Sequence, residues 1–314
     1  MHGAADGDES QETRFVGNHQ LYALDMNIMV EEVALKQNRL LRGLAHPILF
    51  KREEEKPPSS DNGAETPYDP LRELEQRDKE RQKRKEEEER DGDNTFKALR
   101  RTFSTFGAVP VSPTSFYKLL SCGEAVLLYP GGVREGLKRR HEKYELFWPT
   151  QSEFIRMAAR FEAIVIPVSS IGAEDSLIML QDTNELRENP FLGQQGLQLE
   201  KIIPRARKYE TDGVDESFVP PLVAPSVPGR LYFRFGKPIR LTKDLKDNRE
   251  AADKEYANVK AAVDDNITWL VRKREQDPYR EFLPRMLYEN NPLGSGKQAP
   301  TFKLKKEFPT YDLP

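Results

Sequence analysis

Apolar positions along the chain follow two periods, one suited to strands and one to helices. "TRFVG" at 13–17 predicts a short strand. From Leu21, apolar residues recur at Tyr22, Met26, Met29, Val30 and Val33, which is helical spacing. Residues 40–50 read as a strand or extended turn whose regularity Pro47 limits. "FKALRRTFSTFG" predicts a helix stopping at Gly107, "AVPVSP" an extended piece, and "SFYKLLSCG" another helix with a glycine stop. "EAVLLYPGG" is an apolar run closed by a turn, so a buried strand. "QSEFIRMAARFEA" puts Phe154, Met157, Ala158 and Phe161 on one helical face, and "IVIPVSSIG" is a second buried strand. "RLYFRFGKPIRL" alternates Leu231, Phe233 and Phe235 with polar partners, as one strand would. A last helix carries Tyr256, Val259, Val263, Ile267 and Leu270. Strands alternating with helices predict an α/β domain over 13–290, with a mostly parallel central sheet flanked by helices. Residues 172–228 are rich in proline and read as loop, and 291–314 as a disordered tail.

One segment breaks the pattern. Residues 51–94 hold almost no apolar side chains and end in a helix-permissive run, "LRELEQRDKERQKRKEEEER". Such a segment has no face to bury, so it reads as a charged insertion, disordered or helical and solvated. Its available role is docking a protein partner rather than catalysis. The chain's low hydrophobic share of 37% is concentrated in this insertion, so the remaining chain can bury a core. The net charge of −3 argues against nucleic acid as a partner. A single cysteine, Cys122, excludes an internal disulfide and a cysteine zinc cluster, and it reads as a core residue. No apolar run approaches the roughly 18–20 residues of a membrane-spanning helix. The polar, acidic start "MHGAADGDESQETR" resembles neither a signal nor a transit peptide. The first core strand follows at once, as in a domain cut from a longer protein or an incomplete gene model.

Two stretches carry candidate chemistry. In "FVGNHQLYALDM", His19 follows a strand and precedes a helix, where an α/β sheet presents reactive side chains. Asp25 could orient the imidazole and compensate its charge, which is a general-base arrangement. Six positions on one helix leave two residues about 120° apart, so the pair meets only if His19 lies in the turn. A capping or buried histidine fits this spacing equally. In "YPGGVREG", Gly131 and Gly132 allow tight backbone with exposed N–H groups, and Arg134 and Glu135 follow. That suits a phosphate or a developing oxyanion, and equally an ordinary strand-to-helix turn with a surface ion pair. "LGSGKQ" fails as a phosphate loop, "HEKYE" lacks a second histidine, and no nucleophile elbow occurs. No metal is required by any of these residues.

Six blocks follow in order: "VGNHQLYALD", "RGLAHPILF", "FGAVPVSPTSFYKLL", "VLLYPGGVREGL", "LFWPTQSEFIRMAARFEAIVIPVSSIG" and "FRFGKPI". Together the chain resembles the lysophospholipid/diacylglycerol acyltransferase superfamily. Within it, the blocks are most similar to the acyltransferase portion of plastid phytyl ester synthases, over about 13–50 and 95–290. The resemblance implies acyl transfer from acyl-CoA or acyl-carrier protein, as co-substrate and without a cofactor, to a lipid alcohol such as diacylglycerol or phytol. It implies His19 and Asp25 as catalytic residues, with Asn18 and Gly131, Gly132, Arg134 and Glu135 contacting substrate. Five residues separate His19 from Asp25, where the superfamily has four. The resemblance further implies peripheral membrane contact, through the Tyr22–Leu35 helix or "FLPRMLY" at 282–288. It places the protein in the plastid or on the cytoplasmic face of an internal membrane. A non-catalytic lipid-binding protein and an acyl-thioesterase are the alternatives.

Overall fold

The computed structural model describes residues 13–46, 49–50, 103, 105–189, 219–290 and 297–302. Four apolar segments form the centre of a seven-stranded sheet: β1 (Thr13–Gly17), β2 (Leu41–Ala45), β4 (Ala125–Leu128) and β5 (Ile164–Ile171). With β3 (Val109–Pro110) and β8 (Tyr232–Phe235), the order is β3-β2-β4-β1-β5-β8, and β9 (Ile239–Arg240) also pairs with β5. All pairings among β1 to β5 are parallel; β8 and β9 run antiparallel to β5. Phe15 stands opposite Leu127 on one side and Ile166 on the other. The α/β fold with a mostly parallel central sheet is as the alternation predicts.

The period of two sorts side chains between two cores. Phe15, Leu127, Ile164, Ile166 and Val168 face α1 (Met26–Gln37), which supplies Met29, Val30 and Val33. Val16, Val126 and Val165 point to the opposite face. There they meet α2 (Pro113–Ser121), α4 (Glu153–Ala159) and the long α6 (Arg249–Arg274), with Tyr256, Val259, Val263, Ile267 and Leu270 inward. β5 is buried along its whole length, which explains its unbroken apolar sequence. Burying one such side chain contributes about 1.5–3 kcal/mol. Helix starts follow local chemistry. Ser112 accepts from Ser115 N at 2.9 Å ahead of Pro113. Asp182 and Glu185 form a capping box at α5 (Thr183–Glu188).

Several expectations are corrected. The stripe from Leu21 is not one helix: a 3-10 turn at Leu21–Ala23 precedes α1, and Tyr22 and Ala23 have φ of 56° and 53°. The strand expected over 230–241 is two, β8 and β9, broken at Gly236–Pro238. The loop-like 172–228 region contains α5 and a two-stranded sheet, β6 (Leu177–Gln181) with β7 (Leu222–Pro225). Residues 297–302, within the expected disordered tail, pack: Ala299 is buried and Phe302 stacks on Tyr232 at 5.8 Å. Cys122 is exposed rather than core. The insertion at 51–94 and most of the helix expected before Gly107 lie outside the described residues. No helix among the described residues is long and apolar enough to cross a membrane.

Candidate functional site

His19 lies two residues beyond β1, where the parallel strands end. Its ring rests on Tyr129, with centroids 4.9 Å apart, and against Gly136, where a Cβ would come 2.9 Å from His19 Cε1. Gly136 closes α3 (Gly132–Gly136), the short helix after β4. Any other residue there would push the imidazole away. Nδ1 is 2.7 Å from the carbonyl oxygen of Gln20. A carbonyl only accepts, so Nδ1 carries the proton and Nε2 keeps its lone pair. Burial lowers the imidazole to about 4, the Gln20 carbonyl opposes this, and the Lys138 charge adds to it. At neutral pH the ring is therefore uncharged.

Asp25 is buried, and its Oδ2 accepts from the Ser170 hydroxyl on β5. Burial raises its carboxyl above the usual range, against the Ser170 bond. No hydrogen bond joins it to His19. The acceptor that His19 Nδ1 meets is instead the Gln20 carbonyl, which also accepts from Ala23 N at 2.9 Å. Gln20 is held in turn: its Oε1 accepts from Ala173 N at 2.9 Å and Glu174 N at 3.4 Å. Tyr22 donates to Pro221 O at 2.5 Å, which anchors the left-handed turn. Two such non-glycine residues in succession cost about 1–2 kcal/mol each. The turn is thus strained and pinned from outside, directly after His19.

The remaining expected contacts hold the backbone. Asn18 donates to Ser170 O and accepts from Ser170 N, both at 2.9 Å, and so locks the ends of β1 and β5. Glu135 accepts from His19 N and Phe147 N, both at 2.8 Å. It is fully buried, and burial carries its carboxyl up to about 7. A Cβ on Gly131 would overlap this carboxyl, 2.2 Å from its carbon, which is why the turn needs glycine there. Gly132, at φ +46°, donates to Tyr129 O at 3.0 Å. Arg134 makes a two-pronged bond to Glu142, at 2.7 and 2.5 Å, and lies over Phe147. The "GGVRE" block therefore frames His19, and its arginine is engaged by a carboxylate.

Sequence reasoning missed Gln20, Ser170 and the buried pair Lys138–Glu174 at 2.8 Å, and gave Tyr129 and Gly136, the ends of "YPGGVREG", no role of their own. A tyrosine directly before a glycine turn and a lysine in a buried position had no periodicity to mark them. Tyr129 Oη is buried in this cluster with no hydrogen-bond partner among the described residues, while the Gln20 side-chain amide stabilises the Asp25 carboxylate. An unmade bond of this kind costs about 1–3 kcal/mol, so the phenol suits a polar group of a ligand.

The profile of the family described as diacylglycerol acyltransferase matches residues 90–264, which includes the glycine turn but not His19. Phytyl ester synthase 2, chloroplastic, of Arabidopsis thaliana is 37% identical over 295 residues, 92% of this chain. The chain belongs to the diacylglycerol acyltransferase family. Phytyl ester synthase 1, chloroplastic, of the same plant is 36% identical over 279 residues, or 87% of the chain. This family member spans about a third of the length of these two relatives, 36% and 34%. No solved structure gives a significant match.

Proposed function

We propose that the domain is an O-acyltransferase that moves a fatty acyl group from a thioester to the hydroxyl of a lipid alcohol, with His19 as general base. The observation that carries this reading is the Nδ1 bond to the Gln20 carbonyl, which leaves Nε2 as the basic nitrogen. Nε2 takes the hydroxyl proton as the oxygen attacks the acyl carbon. The new C–O bond forms, the C–S bond breaks, and the proton passes from Nε2 to the departing sulfur. Asp25, Glu135 and Asn18 position the base and the strand ends that carry it, and the unpartnered Tyr129 Oη stands beside the ring. Phytol and diacylglycerol are the acceptors suggested by the names of the relatives and the family. The chloroplastic relatives support a plastid location. Membrane contact is assigned to α1 and the turn before it, with Leu24, Ile28 and Leu35 outward, and to α7 (Phe282–Glu289), whose Leu283 and Leu287 are exposed.

The test incubates purified protein with labelled acyl-CoA and a panel of lipid alcohols, and identifies the ester formed. His19→Ala should lower turnover by about 10²–10⁴-fold while circular dichroism stays unchanged. Turnover near wild type in that variant would remove the base from the mechanism. Free fatty acid as the sole product, with or without alcohol, would make the activity a thioesterase.

A further inference from the structure

A groove of about 1520 Å³ lies away from His19, along the outer edge of β8. α1 forms one bank; α6, α7 and residues 297–302 form the other. Among the described residues β8 is paired on one side only, so its outer edge offers unpaired N–H and C=O groups in alternation. Phe233, Phe235 and Trp269 supply aromatic surface. Asn266 also lines the groove, and it is 5% exposed with no hydrogen-bond partner for Nδ2. A buried amide donor of this kind calls for an acceptor oxygen from a ligand.

The groove has a direction. α1 and β8 both run away from the end of the sheet where His19 sits, because β8 is antiparallel to β5 and α1 leads from the end of β1 back to the start of β2. The near end, at Gly229–Tyr232, is therefore two strands from His19, about 10 Å at ordinary strand spacing. The far end carries Lys237 just past β8 and Lys36 on α1, both exposed, with Lys36 ion-paired to Glu32 one turn earlier. α1 lines the groove from Ile28 to Gln37, a run of about 15 Å. A ligand fitted to this would be extended, with amides along its length, an anion at one end and its reactive group at the other.

We propose that the groove holds the phosphopantetheine arm of the acyl donor. The phosphate sits by Lys36 and Lys237, the arm's amides lie along β8 and Asn266, and the thioester emerges toward His19. This rests on the thioester-donor reading above. Coenzyme A and carrier proteins share the arm, so the groove serves either source.

Binding is measured without turnover, on the full chain, by equilibrium dialysis and by Trp269 fluorescence, with coenzyme A, free 4′-phosphopantetheine and holo-acyl-carrier protein as separate probes. Coenzyme A and the free arm should both bind, and His19→Ala should bind them as wild type does. The double variant K36E/K237E should weaken binding at least tenfold, and Asn266→Leu several-fold, with unchanged circular dichroism. Tighter binding of holo-carrier protein than of coenzyme A would assign the arm to a carrier, and the reverse to the free coenzyme. Absence of binding by all three probes, or charge-reversed protein that binds like wild type, overturns the proposal. If groove variants lose binding but wild type forms no ester from any thioester, the groove stands and the acyl-transfer reading falls. If ester forms with the same donor KM in wild type and K36E/K237E, the groove falls alone.

Discussion

If His19 is the base and burial holds it at about 4, acid should affect this enzyme unusually late. At pH 5.5 an imidazole with the ordinary pKa of 6.5 would be about nine-tenths protonated, whereas one at about 4 stays about 97% neutral. The difference is about tenfold in active base at that pH. The measurement is kcat/KM from pH 4.5 to 8, since that ratio reports groups of the free enzyme. The acid limb should fall below pH 5. A limb with its midpoint between 6 and 7 would refute the assignment of the half-buried ring as the base. Stability supplies a second reading. His19 is harder to protonate folded than unfolded, so its contribution is lost as pH falls from 6.5 toward 4, by about 3 kcal/mol. Glu135 has the opposite sign. Its carboxyl is raised from 4.5 to about 7, so it contributes stability at low pH that is lost as pH rises through 7. The two windows overlap between about 4.5 and 6.5, where wild type should show little pH dependence from this pair. Glu135→Gln removes one of them. Its urea midpoint should then fall on acidification from 6.5 to 4.5, and a flat response in both proteins would mean that these burials do not control the titrations.

Gly136→Ala places a methyl 2.9 Å from His19 Cε1, and a displacement of about 1 Å at a catalytic group can cost about 100-fold. The variant should lose most of kcat with near-normal denaturation, and wild-type turnover would show that the ring has room. Ser170→Ala takes the hydroxyl from buried Asp25 and should cost about 1–3 kcal/mol in urea unfolding, more if the carboxylate stays charged; an unchanged midpoint would remove that bond from the framework. Wild type should float with liposomes and the double variant L283D/L287D should not, because α7 turns those leucines to solvent; equal flotation would move the membrane contact elsewhere.

The parts of this fold that were legible are those where burial follows sequence period. Phe15 and Val16 enter different cores because adjacent strand residues face opposite ways, and β5 reads as a strand because both its faces are covered. The parts that were not legible depend on distant partners. The stripe from Leu21 has helical period, yet the backbone turns left-handed at Tyr22 and Ala23, and Tyr22 bonds to Pro221, 199 residues away. The site divides the same way. His19 could be found because a histidine between strand and helix is a visible residue type in a meaningful place. The group that sets its proton could not, because it is a main-chain carbonyl, and every residue has one. The motif pointed to Asp25 instead. With the extra residue before it, Asp25 stands at the head of α1 and turns to Ser170, while the left-handed turn brings the Gln20 carbonyl onto Nδ1. If His19 is the base, the longer spacer is compatible with that role because the backbone of the turn supplies an acceptor in the carboxylate's place.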